Sequence, residues 1–149
     1  MNNYNNTYLA FYLGKDPEAT IWDRLITIID GSPFSHVELA IKNSLSSYYD
    51  CYSSSPRDGG VRHKQMALNP SQWVLVPINI NLTFAMEIFN IYKGLPYDLW
   101  GLATTKVKWL PNRTDKMFCS ELVACMYGLP DYSNYGVKKL YNYVKEFKQ

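Results

Sequence analysis

Ser35-His36-Val37-Glu38-Leu39-Ala40-Ile41 is the stretch on which the reading of this chain turns. Val37, Leu39 and Ile41 alternate with His36, Glu38 and Ala40, and a period of two places the first set on one face of a strand and the second on the other. The expectation is a half-buried strand whose polar face carries an imidazole and a carboxylate two residues apart. The strand opens directly after a Ser-Pro-Phe-Ser turn, a position from which a side chain can face a cleft.

Working outward, residues 8–13, Tyr-Leu-Ala-Phe-Tyr-Leu, read as a buried first strand ended by the turn chemistry of Gly14-Lys15-Asp16-Pro17. Ile21, Trp22, Leu25, Ile26, Ile28 and Ile29 recur at helical spacing after Pro17, until Asp30-Gly31-Ser32-Pro33 breaks the run. Beyond the central stretch, residues 48–53 read as a partner strand, and Asp58-Gly59-Gly60 favours a tight turn into Val61-Arg62-His63-Lys64. Residues 73–78 form a further strand. From Leu82 the period becomes helical, with Phe84, Ile88, Phe89, Ile91 and Tyr92 on one side and Gly94-Leu95-Pro96 closing the run. A second helix is expected after Pro96 over Tyr97-Asp98-Leu99-Trp100-Gly101-Leu102, then a loop over 109–115. A third helix follows over 118–127, stopped by Gly128-Leu129-Pro130, and an amphipathic helix over 137–147 ends the chain. Strands first and helices later, without repeat or linker, predict one α+β domain over 1–149, with an antiparallel sheet of about five strands packed against the helix that carries Cys119.

Composition narrows the class. With 47% hydrophobic and 19% charged residues the chain reads as a soluble globular protein, and no stretch approaches the roughly 20 apolar residues of a spanning helix. The start, Met1-Asn2-Asn3-Tyr4-Asn5-Asn6, has no basic region ahead of an apolar run, so the expectation is no signal peptide and a cytoplasmic location. A net charge of +2 without a clustered basic motif argues against nucleic acid as the partner.

Three cysteines, Cys51, Cys119 and Cys125, are an odd number with no Cys-x-x-Cys pair, which argues against a disulfide scaffold and a structural zinc. A thiol becomes a nucleophile when its thiolate is stabilised, most often by a helix N-terminus and a neighbouring imidazolium. Cys119 falls in the first turn of the helix expected after Asp115-Lys116-Met117, where unpaired N–H groups and the dipole favour negative charge. Cys125 and Cys51 have no comparable setting and read as small core residues. Of the two histidines, His63 lies among Arg62, Lys64 and Gln65, which leaves His36 as the candidate base.

The order of these blocks, strand-borne Ser-His-Val-Glu-Leu-Ala-Ile, then Gly-Gly-Val-Arg, then Tyr-Asp-Leu-Trp-Gly-Leu, then Phe-Cys-Ser-Glu-Leu-Val-Ala, resembles the circularly permuted branch of the NlpC-type papain-like hydrolases. The YiiX- and YebB-like proteins and the lecithin-retinol acyltransferase group belong to that branch, in which the histidine strand precedes the cysteine helix. The blocks also resemble those of small phage-encoded relatives, which implies a viral source and a host cytoplasm. The resemblance runs from about Tyr8 to Leu129.

By position, the resemblance implies Cys119 as nucleophile, His36 as base and a third polar residue from the neighbouring strand. Relatives often carry Glu or another strong acceptor at the position that is Ser53 here, and serine orients an imidazole more weakly than a carboxylate does. Glu38, on the same strand face as His36, is the joint candidate, with Asp50 more distant. Arg57 reads first as a turn residue and second as a cation at the cleft edge for a substrate carboxylate or phosphate. Tyr97 matches the family's Tyr-Asp, where the aromatic would help wall the site. The implied chemistry is acyl transfer at a peptide, isopeptide or lipid amide or ester bond, without metal or organic cofactor. The competing expectation is a catalytically silent papain-like module that binds a host protein through its tyrosine-rich C-terminal part.

Overall fold

The computed structural model describes residues 6–14, 17, 19–20, 23–24, 27, 31–97 and 117–147. Five strands, β1 (Thr7–Leu13), β2 (Phe34–Lys42), β3 (Tyr49–Ser55), β4 (Gly60–Met66) and β5 (Trp73–Pro77), precede helices α1 (Leu82–Tyr92), α2 (Cys119–Tyr127) and α3 (Val137–Glu146). The strands form one sheet in the order β4-β3-β2-β1-β5, and every pairing is antiparallel. The molecule is thus α+β, and β2, the stretch quoted first, lies at the middle of the sheet.

Each strand's two faces go to different neighbours. Leu9, Phe11, Phe34, Val37 and Leu39 join Ala85 and Phe89 of α1, Leu122, Val123 and Met126 of α2, and Leu140 and Val144 of α3 in the main core. The opposite face carries a smaller cluster, Ala10, Ala40, Cys51 and Leu68, edged by Tyr8, Tyr49, Met66 and Trp73. A buried Leu or Phe contributes roughly 1.5–3 kcal/mol relative to exposure, so fully buried Phe11, Leu9, Leu39 and Leu122 dominate the attachment of helices to sheet. Val137, Leu140 and Val144 are buried at i, i+3 and i+7, the stripe an amphipathic helix presents, and Tyr141 packs on Phe11 and Phe34 at ring distances of 5.1 and 4.7 Å.

The structure departs from the sequence reading at three places. In α1 the buried residues are Ala85 and Phe89, while Ile91 stands 70% exposed, because two residues advance the chain about 200° around a helix. Tyr97 itself is extended rather than helical; it forms a parallel bridge with Met117 that brings residues 96 and 97 alongside the entry to α2. The rest of the helix expected after Pro96, and the loop over 109–115, lie outside the described residues. Near the N-terminus, the helical residues Asp23, Arg24 and Thr27 follow a cap at Thr20 rather than at Pro17. Thr20 N donates to Asp23 Oδ2 at 2.7 Å, and Asp23 N donates to Thr20 Oγ1 at 3.4 Å, a reciprocal cap.

Two glycines are required by the backbone. Gly60 starts β4 at φ +141°, and a Cβ there would meet the Leu95 carbonyl oxygen at 2.0 Å, so only glycine lets β4 pass under the chain after α1. Gly128 closes α2 in the left-handed conformation, its N–H reaching the carbonyls of Ala124 and Cys125.

Candidate active site

The site is assembled from the head of β2, the start of α2 and the β3–β4 hairpin. His36 and Glu38 point to the same face of β2, two residues apart, and His36 Nε2 meets Glu38 Oε1 at 2.6 Å. Cys119 is the first residue of α2, after an N-cap at Phe118 with extended backbone (φ −100°, ψ 169°). The Cys119 thiol is a hydrogen-bond partner of the His36 ring. With Nε2 engaged by Glu38, Nδ1 is the nitrogen left for the sulfur.

Glu38 is 0% exposed, so its charge must be met inside the protein. Arg62 does this from β4 with two parallel bonds, Nη1 to Oε2 at 2.8 Å and Nη2 to Oε1 at 2.6 Å. Burial alone would raise the Glu38 carboxyl, but the His36 charge and the Arg62 hydrogen bonds hold it below the usual range. Burial likewise opposes the imidazolium of His36. The Glu38 carboxylate and then Cys119 outweigh that cost, and the His36 pKa is pushed up to about 10.

Where α2 meets the sheet, two serines hold the backbone. Regular pairing between β2 and β3 stops at Leu39–Tyr52. Just beyond it, the Ser53 hydroxyl donates to the Val37 carbonyl at 2.6 Å, and the Ser54 hydroxyl donates to the Met117 carbonyl at 2.6 Å. The first bond fixes the backbone beside His36, and the second fixes the residue two before Cys119.

A cleft of about 170 Å³ lies beside the imidazole. Tyr12 and Trp73 form its aromatic side, with ring centroids 5.0 Å apart and Trp73 6.3 Å from His36. The hairpin residues Arg57 and Asp58 and the cap residues Thr20 and Asp23 form the other. Arg57 is ion-paired to Asp23, which also accepts the Ser35 hydroxyl at 3.0 Å. Cys119 does not line this cleft and is 1% exposed, behind His36.

The structure brings Cys119, His36 and Glu38 together, and it places Arg57 at the cleft edge in a pair with Asp23. Ser53 does not reach the imidazole, because its hydroxyl is spent on Val37. Asp50 is turned to the other face of the sheet, where it meets His63 at 2.8 Å. Tyr97 sits buried beside Met117 and is not on the cleft wall. Cys51 and Cys125 are free thiols whose pKa burial pushes up, as core residues; Glu121 adds to the effect at Cys125. Among the described residues no three His, Cys, Asp or Glu side chains are placed to hold a metal ion, and no helix is long and apolar enough to cross a membrane.

Arg62 escaped the sequence reading because Val61-Arg62-His63-Lys64 shows no alternation to mark an inward position. Asp23 had a signal, the Thr-x-x-Asp spacing of a reciprocal cap. Comparison with known proteins yields no matching family model, no matching curated protein and no matching solved structure.

Proposed function

We propose that this chain is a thiol hydrolase of the permuted papain-like kind, acting on an amide or ester carbonyl through a thioester. The observation that carries the reading is the line Cys119–His36–Glu38, in which a buried carboxylate 2.6 Å from Nε2 turns the other ring nitrogen to a thiol at a helix start. The sheet-first order, with the histidine strand ahead of the cysteine helix, supports the permuted arrangement.

In this mechanism His36 holds the proton taken from Cys119, and the thiolate attacks the carbonyl carbon. First-turn N–H groups have no intrahelical acceptor, so the backbone N–H of Cys119 donates to the developing oxyanion. The imidazolium passes its proton to the leaving amine or alcohol. Neutral His36 then takes a proton from water as that water attacks the thioester, and the carboxylic acid leaves with the thiol restored. Glu38 keeps the ring oriented throughout. Arg57 at the cleft edge and the Tyr12–Trp73 wall fit a peptide, isopeptide or lipid acyl group that carries an anion.

The test is iodoacetamide alkylation of Cys119 at neutral pH. A rate well above that of Cys125, lowered at least about tenfold in His36→Ala, is expected. Equal slow labelling of both thiols, untouched by His36→Ala, would sink the reading. The burial of Cys119 is the one observation favouring the second reading, a silent papain-like module that binds a host protein. That module predicts an unreactive thiol and no turnover of acyl probes.

A further inference from the structure

Glu38 on β2 and Arg62 on β4 are separated by a whole strand, yet they form a two-point ion pair, the only one of its kind among the described residues. Two strand spacings come to about 9–10 Å, a span that only a long side chain can cross. The residue lying under that span is Ser53, the partner of Arg62 in the β3–β4 register. Its small side chain is turned into the Val37 carbonyl, which leaves the sheet face clear for the guanidinium. Arg62 itself is anchored from behind, with Nε donating to Asp58 Oδ2 at 2.8 Å in the hairpin turn.

We propose that Arg62 is a positioning residue of the hydrolytic site. Fixed by Asp58 on one side, it grips both oxygens of Glu38 and so aims Oε1 at the His36 ring. The proposal rests on the reading of Cys119 and His36 as a hydrolytic pair. A carboxylate held by one partner can rotate about its last torsion, whereas two parallel bonds to a planar fork fix its plane. Oε1, shared between Arg62 Nη2 and His36 Nε2, is therefore the pivot of the chain Asp58–Arg62–Glu38–His36–Cys119.

The charged and titratable groups facing Glu38 are His36 on its own strand, Arg62 on β4 and Cys51 on β3; Asp58 and Lys64 stand behind Arg62, and Cys119 stands behind His36. Removing the guanidinium takes away two of the influences that hold the Glu38 carboxyl low, so Glu38 takes up its proton nearer neutrality.

Arg62→Gln and Arg62→Lys test this in the full chain, with folding checked by circular dichroism. Two readouts are needed: the pH dependence of iodoacetamide alkylation at Cys119, and the downfield Nε2–H proton resonance of His36. In Arg62→Gln, alkylation at neutral pH falls about tenfold or more, its acid limb moves to higher pH, and the resonance is lost. Arg62→Lys restores charge without the fork, so the acid limb stays near its wild-type position while the rate stays low. Wild-type rate, limb and resonance in Arg62→Gln, or full recovery in Arg62→Lys, would overturn the proposal, since charge alone or mere packing would then suffice. If Arg62→Gln does not fold, Arg62→Lys decides by the same criteria. A thiol that is slow in both wild type and His36→Ala defeats the hydrolase reading instead. The His36 resonance still decides the role of Arg62 in that case.

Discussion

His36 meets Glu38 at 2.6 Å near the head of β2, and His63 meets Asp50 at 2.8 Å across β3 and β4. Both contacts use Nε2 and a carboxylate oxygen of similar reach. Their surroundings differ: the side chains of the first pair are 13% and 0% exposed, those of the second 39% and 27%. Water competes for Asp50, which also takes the Gln65 amide at 3.1 Å, whereas Glu38, 0% exposed, is met by His36 and Arg62. The His63 ring stacks near Tyr52 at 4.7 Å and meets no thiol. Side-chain type and distance alone therefore do not separate a buried imidazole from a surface one. Burial, a second cation on the carboxylate and a thiol against the ring set His36 apart from His63.

The comparison breaks most directly by removing each ring. On the proposed hydrolytic reading, His36→Ala lowers hydrolysis of an activated ester such as p-nitrophenyl acetate by about 10²–10⁴-fold, the usual worth of a positioned acid–base group, while His63→Ala leaves it within about twofold. Equal losses would show that the two pairs are equivalent. Removing each carboxylate's charge comes next. Glu38→Gln leaves Arg62 and His36 facing a neutral amide in a buried setting, which costs about 3–5 kcal/mol in urea unfolding. Asp50→Asn costs about 0–1 kcal/mol, because its pair is screened by solvent.

A third difference is the response to pH. The folded-state pKa of His36 is raised from 6.5 to about 10, so its contribution to stability is complete below about 6.5 and is lost as pH rises toward 10. Glu38 is shifted the opposite way, and its contribution is present above its ordinary 4.5 and is lost as pH falls below that. Thermal unfolding should therefore show a plateau between about 4.5 and 6.5 and an alkaline decline. His36→Ala removes the part of that decline due to the ring. A decline unchanged in His36→Ala would contradict the ion pair.

Much of this arrangement is legible in the chain because it is local. Alternation in Ser35-His36-Val37-Glu38-Leu39 puts His36 and Glu38 on one face, and a helix start after Met117 puts Cys119 in the first turn. The burial of Glu38 is not legible, since a strand carboxylate reads as solvated until its cation is found, and that cation lies on β4, two strands away. The same applies to Asp23, whose partner Arg57 is 34 residues distant. Ser53 reads as a candidate acceptor for the imidazole by position. Whether its hydroxyl turns to the ring or to the strand beside it depends on where the β2–β3 ladder stops, a property of register.

Ser53 accordingly yields the smallest of these effects and the finest test of the comparison. Around His63 the β3–β4 pairing runs unbroken from Tyr49–Met66 to Ser55–Gly60, so the backbone there needs no side chain to complete it. Around His36 the ladder toward β3 has ended, and the Ser53 hydroxyl supplies the bond to the Val37 carbonyl. Ser53→Ala removes the donor without crowding Arg62 and leaves a buried carbonyl unmatched, at a cost of about 1–3 kcal/mol in urea unfolding. If Ser53 serves the backbone alone, the Ala variant keeps the wild-type pH dependence of Cys119 alkylation and loses only stability. A shifted acid limb at unchanged stability would instead make Ser53 a direct partner of the imidazole. Equal insensitivity of both properties would mean that β2 holds its course without it, and that the parting of the two strands, rather than the serine within it, sets the position of His36.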